Sequence, residues 1–419
     1  YFTQVRNDYP VLIKVYEIKE EERQYLEVKN LLPTRMEVLN IEWAKRGETV
    51  RRPLKSSQSF PQVLEASPYW DHSLKSRSKL LRFPLEKFKD MDDWEVIVTA
   101  RIFGKEVIHH VKAEPYYTPL KKSPIPESTV TDQLKIHKFF DFKPQTNTLS
   151  VKRGEWNVKG WIVIPKGIRL VIPAGVTLSF GFSGGLLSRG ALEFNGSENE
   201  PIILKASGEG ERKSWLGVAV LNADKVSQWT HVRVIDTMGL RNGKWELTGG
   251  VTFHKSDILM DYCVLERHKG EDALNIIRSN FKLNNIRIKD TQSDAFDSDF
   301  SNGEIVGGKF QNIGKGSGGD AIDLSGSRIT VNGTNIMNVS DKAFSVGERS
   351  HLKVTDVSID TVGTGLVSKD DSEIEINSSL IKNAQIAGLM AYIKKKEYGS
   401  AQIIARDIKF ELTNVPGLV

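Results

Sequence analysis

Cysteine is nearly missing from this chain. Cys263 stands alone among 419 residues, so no internal disulfide can form, and its apolar neighbours in Tyr262-Cys263-Val264-Leu265 mark it as a core thiol. Long apolar runs are missing too, and with them any candidate for a membrane-crossing helix. No signal-peptide pattern opens the chain at Tyr1, an absence that processing would also produce. Charge of one sign is in short supply: 58 Lys and Arg face 53 Asp and Glu, a net +5 carried mostly by residues 1–150, where 25 basic side chains face 21 acidic ones. So small an excess does not point to nucleic acid. Hydrophobic residues at 39% and charged residues at 26% leave an ordinary globular composition.

What the chain does have is a repeat. Segments beginning GVTFHKS at Gly250, DALNIIRS at Asp272, DAFDSDFS at Asp294, DAIDLSGS at Asp320, KAFSVGERS at Lys342 and TGLVSKDDS at Thr364 share one pattern. From Asp272 onward the steps are 22, 26, 22 and 22 residues, and the long step holds the insert GKGSGG at Gly314–Gly319. Units this short have no room for two helices, and they carry β-branched runs of period two, as in FKLNNIRIKD and SEIEINSSLI. Three short strands per coil, stacked at roughly 4.7–4.9 Å, make a parallel β-helix. Parallel crossovers are right-handed by general preference. The expected fold is all-β: a right-handed parallel β-helix, a solenoid of about 22-residue coils, preceded by a small β-sandwich.

Stacking converts the sequence into columns. Val251, Leu274, Phe296, Ile322, Phe344 and Leu366 form one column and should fill the core. One residue on, and pointing outward, come Thr252, Asn275, Asp297, Asp323, Ser345 and Val367; two further on, the same outer face holds His254, Ile277, Asp299, Ser325, Gly347 and Lys369. The polar groups gather in the middle coils, which uniform solvation would not produce.

Upstream, residues 1–117 read as the separate sandwich. VLIKVYEI, YLEVKNLLPTRMEVLNIEW and DWEVIVTARIFGKEVIHHVKAE alternate apolar and polar residues, with turns at Leu32-Pro33-Thr34 and Phe103-Gly104-Lys105. The basic stretch within residues 51–80 reads as a solvated loop, and His109 and His110 fall on opposite faces of one strand, poor geometry for joint metal binding. No chemistry is assigned to this domain; a docking role is the expectation. Residues 118–150, with PLKKSPIPES, read as a linker and cap, and residues 151–419 as the solenoid.

From about Trp156 onward, GWIVIPKGIRLVIPAGVTLSF and GALEFNGSENEPIILKA open the solenoid, and here the chain resembles the pectin-lyase-like superfamily of β-helix proteins. The resemblance implies action on, or binding of, polysaccharides, and an extracellular, periplasmic or cell-surface setting. The middle coils are similar to polygalacturonase-type glycoside hydrolases. Ser293-Asp294-Ala295-Phe296-Asp297, Gly319-Asp320-Ala321-Ile322-Asp323 and Asp341-Lys342-Ala343-Phe344-Ser345-Val346-Gly347 take the places of that family's three successive motifs. The resemblance would put catalytic carboxylates at Asp294, Asp320 or their coil-mates. The chain departs from the pattern: one aspartate, not two, precedes Ala321, Lys342 stands at the histidine position, and no Arg-x-Lys follows.

The residues also speak for themselves. Asp297 and Asp299 lie two apart on one strand face, roughly 6–7 Å, and Asp297 and Asp323 share a column at roughly 5 Å. Carboxylate pairs about 5 Å apart suit a retaining glycosidase and about 6.5–9.5 Å an inverting one. Three carboxylates this close require either a raised pKa or a bound cation, so Asp297, Asp299 and Asp323 are also a candidate Ca²⁺ site. Asp272, Asp294 and Asp320, each opening a strand, have the alternative reading of turn caps. Lys342, Arg278, Lys255 and Arg349, with Asn275, are the candidates for holding an acidic sugar; salt bridges to nearby aspartates are the other reading. Trp215, Trp229 and Trp245 have two readings, sugar stacking or packing, and His254 reads as a lone surface histidine.

The leading expectation is cleavage of an acidic polysaccharide by carboxylate acid/base chemistry, with Asp297 and Asp323 as the central pair and Asp299, Asp294 and Asp320 beside them. Two alternatives stand: a lyase or uronate epimerase using Ca²⁺ or a Lys/Arg, and a non-catalytic glycan-binding or scaffold β-helix.

Overall fold

The computed structural model of the protein describes residues 13–20, 23–30, 32, 34–45, 49–55, 58–66, 80–85, 94–115, 125–210, 213–242, 245–315 and 318–419. They fall into two compact units, Tyr1–Lys122 and Ser123–Val419.

In the first unit two sheets share one core. One orders the strands Leu81–Leu85, Arg23–Asn30, Ile13–Glu20 and Glu114–Pro115; the other is built on Met36–Lys45 and Trp94–Ile102, with Arg51–Pro53, Gln62–Leu64 and His109–Lys112 paired around them. Leu26, Val28 and Phe83 from the first sheet meet Met36, Val38, Val96 and Val98 from the second, all fully buried. Alternation along each strand produces that single apolar face. At Phe103-Gly104-Lys105 the chain turns as expected, with the Lys105 N–H donating to the Ile102 carbonyl at 2.9 Å and Gly104 at φ +74°. His110 Nδ1 lies 3.1 Å from Thr99 Oγ1. Within the stretch 51–80 expected as a basic loop, Arg51–Pro53 and Gln62–Leu64 are strands, with Arg51–Pro53 exposed; residues 56–57 and 67–79 lie outside the described residues.

The second unit is the solenoid: about ten turns of about 23 residues. Among the described residues its main sheet has 28 strands in chain order, and through most of its length each pairs in parallel with the strand three places on in that sheet. Three strands per coil is what that pairing means. The column from Val251 to Leu366 is in register and fully buried. Each such side chain contributes about 1.5–3 kcal/mol. Cys263 is buried, and its thiol is pushed up to about 12 by burial, so it is an inert core group. Trp215 and Trp229 are buried as well, stacked on Phe180 at 4.2 Å and Phe194 at 4.8 Å between ring centroids. Trp245 packs on a small apolar cluster around Leu216 and Leu240. Packing, not sugar stacking, is the reading these three tryptophans bear out.

The stretch read as linker and cap holds more structure than linker in its second half: a helix spans Val130–Ile136, and strands Phe140–Lys143 and Thr148–Val151 already belong to the large sheet. Thr129 caps the helix, accepting the Asp132 N–H at 3.2 Å while Asp132 Oδ2 accepts the Thr129 N–H at 3.2 Å. The helix brings Gln133 Oε1 to 3.1 Å from the Val163 N–H, and His137 Nε2 to 3.2 Å from the Trp161 carbonyl. It thus covers backbone that an open first coil would leave unpaired.

Corners are made by left-handed backbone. Lys255, Arg278, Phe300, Glu348 and Asp370 lie at φ +47°, +50°, +50°, +51° and +54° on successive coils, with Gly326 at the same corner. A buried serine follows each corner, directly after Lys255, Arg278, Phe300 and Gly326 and one residue later after Glu348 and Asp370, and from Ser279 onward its hydroxyl accepts the N–H of the serine one coil earlier. Ser256 donates to Ser279 at 2.8 Å, Ser279 to Ser301 at 3.1 Å, Ser301 to Ser327 at 3.0 Å, Ser327 to Ser350 at 3.0 Å and Ser350 to Ser372 at 3.1 Å. The ladder feeds backbone donors that a tight corner strips of strand partners.

Candidate active site

One strand stack changes character along its length. Its outward column runs Leu187, Ala219, Thr252, Asn275, Asp297, Asp323, Ser345 and Val367, each the Cα partner of the next. Leu187 and Ala219 belong to the apolar cluster at one end, and Val367 is buried at the other. Between them lies a polar window whose strands are Gly249–His254, Asp272–Ile277, Asp294–Asp299, Ile322–Ser325 and the end of Asn335–Gly347.

Every aspartate expected at the site lies in this window, joined by Asp272, the Cα partner of Asp294. Their roles separate by what each touches. Asp294 Oδ1 accepts the Asp320 N–H at 2.7 Å, and Asp320 Oδ1 accepts the Lys342 N–H at 2.9 Å, so each latches its coil to the next. Both oxygens of Asp320 also face the Lys342 ammonium, at 3.3 and 3.5 Å. The capping alternative therefore describes these two well. Asp297 and Asp323 are half-buried and lie side by side in register. The Asn275 amide donates to Asp297 Oδ2 at 3.0 Å and to Asp272 Oδ2 at 3.3 Å, tying the two acids together, while its own buried Oδ1 has no partner. Asp323 Oδ1 accepts the Leu324 N–H at 3.0 Å.

Stacking acids coil upon coil has an electrostatic consequence. Burial first, and then the charges of Asp272, Asp299, Asp323 and Asp294, push Asp297 up to about 9. Asp294 rises to about 7 and Asp272 to about 6, again through burial first. Asp299 and Asp320 are raised from the same leading cause. A carboxyl held protonated at neutral pH beside other carboxylates is a proton donor next to acceptors.

The cations are less available than the sequence implied. Lys342 bridges Asp320 and Asp341; burial works against its charge, but the two carboxylates outweigh it and raise its pKa. Arg349 pairs with Asp371 at 3.0 Å and lies over the Tyr398 ring, so for these two the salt-bridge reading holds. Lys255 and Arg278 make no ion pair among the described residues, and Arg278 lies 5.5 Å over the exposed Phe300 ring. His254 is half-buried, its pKa lowered by burial and then by Lys255 and Arg278. Sequence reasoning missed one contact: the buried Lys369 ammonium reaches Ser345 Oγ at 2.7 Å, passing the bare backbone of Gly347. The signal was available in the register, where a glycine precedes a lysine in one outer column. Among the described residues, no three His, Cys, Asp or Glu side chains are arranged to hold a metal ion; Asp297, Asp299 and Asp323 share a face without converging on a point.

A row of suppressed carboxylates on the outer face of a parallel β-helix is thus the class of site this chain presents. Neither family models nor curated protein sequences match this chain. Among solved structures it is similar to the catalytic unit of a GH87 alpha-1,3-glucanase from Streptomyces thermodiastaticus, at 11% identity, 98% coverage of this chain, 95% of that one and a TM-score of 0.26. It is also similar to a periplasmic alginate epimerase, AlgG, at 10% identity, 69% and 82% coverage and a TM-score of 0.27. An alginate lyase from Paenibacillus matches at 10% identity, 61% and 91% coverage and a TM-score of 0.31.

Proposed function

We propose that the solenoid cleaves glycosidic bonds of a polysaccharide laid across the polar window. The observation that carries this reading is Asp297: half-buried, in Cα register with Asp323 one coil away, and pushed up to about 9. Asp297 gives its proton to the glycosidic oxygen as the bond to the anomeric carbon breaks. Asp323 either takes a proton from the attacking water or itself attacks that carbon. Asn275 holds the donor through its bond to Asp297 Oδ2. Asp294 and Asp320 fix the spacing of the coils, and Asp299 stands beside the pair as the alternative partner. Lys255 and Arg278, free of ion pairs among the described residues, are the groups that would hold an acidic unit of the chain. A substrate of this kind places the protein outside the cell, in the periplasm or on the cell surface.

The test is a panel of acidic and neutral polysaccharides, with Ca²⁺ or EDTA, read for new reducing ends and for the ultraviolet absorbance of unsaturated uronates. Reducing ends without absorbance, lost in Asp297→Asn and Asp323→Asn, are the expected result. Absorbance would move the protein to the lyases, and loss with EDTA would restore a Ca²⁺ site at Asp297, Asp299 and Asp323. Silence in both readouts with glycan retained would leave a binding module. The stereochemistry of the product distinguishes the roles: retention if Asp323 attacks the anomeric carbon and water then releases the sugar from its ester, inversion if Asp323 or Asp299 takes the proton from the attacking water.

A further inference from the structure

A second groove, of about 640 Å³, lies on a different strand stack of the same coils. One column there runs Arg233, Val264, Arg287, Lys309 and Asn335, each the Cα partner of the next. None of these residues belongs to the aspartate window. At one end stand His231 and Tyr262, ring centroids 5.1 Å apart and only 6° from parallel, with the Tyr262 side exposed. Both sit at left-handed corners, φ +48° and +54°, which carry their rings onto the outer surface. Further along, the corner residues become Gly307 and Gly308, so bare backbone lines the groove beside Lys309. A side chain at Gly308 would meet the Ile286 carbonyl at 2.4 Å.

The charge along this groove is positive and partly unspent. Arg287 is exposed, and among the described residues neither Arg287 nor Lys309 makes an ion pair. Arg233 contacts Glu266 at 3.3 Å, but that carboxylate is shared with Arg267 at 2.9 Å and Lys289 at 3.0 Å; Arg267 is also paired with Asp236 at 2.7 Å, so two acids face three cations. Glu198 is the one carboxylate on the groove wall. An aromatic face beside cations that recur at one coil step, roughly 4.8 Å, is the chemistry that recognises an acidic sugar chain: the ring stacks on a pyranose, and the cations meet carboxylate or sulfate groups at intervals comparable to one sugar unit. Nucleic acid is the poorer fit, because two unpaired cations and one aromatic stack provide little of a phosphate-tracking surface.

We propose that this groove is a second, non-catalytic binding site for an anionic polysaccharide, with Tyr262 as the stacking platform and Arg287 and Lys309 as the anion contacts. It stands whether or not the aspartate window cleaves anything. The experiment is affinity electrophoresis of the full chain through gels containing polygalacturonate, with dextran sulfate and uncharged dextran in parallel gels. All variants are made in the Asp297→Asn background, so the polymer stays intact. Retardation by polygalacturonate but not by dextran is expected. Arg287→Ala with Lys309→Ala should weaken it at least about tenfold. Tyr262→Ala should weaken it roughly fivefold to tenfold, while Tyr262→Phe keeps it, because the ring and not the hydroxyl makes the contact. Lys353→Ala, an exposed lysine on another strand stack, controls for net charge and should change nothing. Circular dichroism of each variant shows that the fold persists. Equal retardation by dextran sulfate would widen the ligand to sulfated chains within the proposal. Retention that survives the double variant, retention lost only in Lys255→Ala with Arg278→Ala, or tighter binding of an oligothymidylate than of polygalacturonate would each overturn it.

Discussion

On the strand stack that carries Asp297, successive coils place carboxylates one above another, partly buried, and their mutual repulsion is relieved by holding protons. On the stack that carries Arg287, the same coils place cations at the same spacing, with Arg287 and the nearby Tyr262 exposed to water and Lys309 half-buried. Register is identical in the two cases; depth is not. Like charges repeated by a solenoid become reactive groups where burial suppresses ionisation, and a recognition surface where solvent screens them.

The contrast can be broken in graded ways. The largest effect is expected from Asp297→Asn, which removes the proton donor: glycan cleavage followed by reducing ends should fall about a hundred- to ten-thousand-fold, with polygalacturonate retention at the Arg287 groove unchanged. Next is the reciprocal loss in Arg287→Ala with Lys309→Ala, at least about tenfold in retention, with reducing-end release from short oligosaccharides unaltered.

Acid suppression should also appear in stability. Asp272, Asp294 and Asp297 are raised from 3.8 to about 6, about 7 and about 9 in the folded chain. The folded state therefore keeps protons that the unfolded state has released. The stability these groups contribute is complete below about pH 3.8 and is lost as pH rises toward about 9. Melting temperature measured across that window should fall with pH, and Asp297→Asn should flatten the upper part of the slope. A slope unchanged in that variant would mean that Asp297 is not the group held protonated.

Smaller effects belong to the scaffold. Ser301→Ala leaves the Ser279 N–H without an acceptor in a buried corner and should cost about 1–3 kcal/mol in denaturant unfolding. Arg349→Ala removes an exposed pair with Asp371 and should cost less than about 1 kcal/mol.

Much of the acidic stack was legible before any coordinates. A 22-residue step forces Asn275, Asp297, Asp323 and Ser345 into one column whatever the details of the turns, and the core column from Val251 follows from the same count. The partners of the cations were not legible. Whether Lys342 points at a substrate or at Asp320 and Asp341 depends on side-chain reach and burial, which no spacing encodes. The helix Val130–Ile136 escaped notice because seven residues give scarcely two turns of apolar period, and the Pro-rich PLKKSPIPES before it reads as linker. The second groove hid for a similar reason. Arg287 lies on a three-residue strand, Arg287–Lys289, at the end of the run FKLNNIRIKD, whose alternation gives its face but not its neighbours. Only the pairing register brings it beside Lys309.

The serine ladder bears on how this protein would respond to force. Each hydroxyl joins one coil only to its neighbour, so the links along the axis act in series, like the stitches of a seam. A pull applied at the C-terminal end would then peel coils one after another, and a force–extension trace should show evenly spaced steps. A single cooperative rupture would mean that the seam is not what holds one coil to the next.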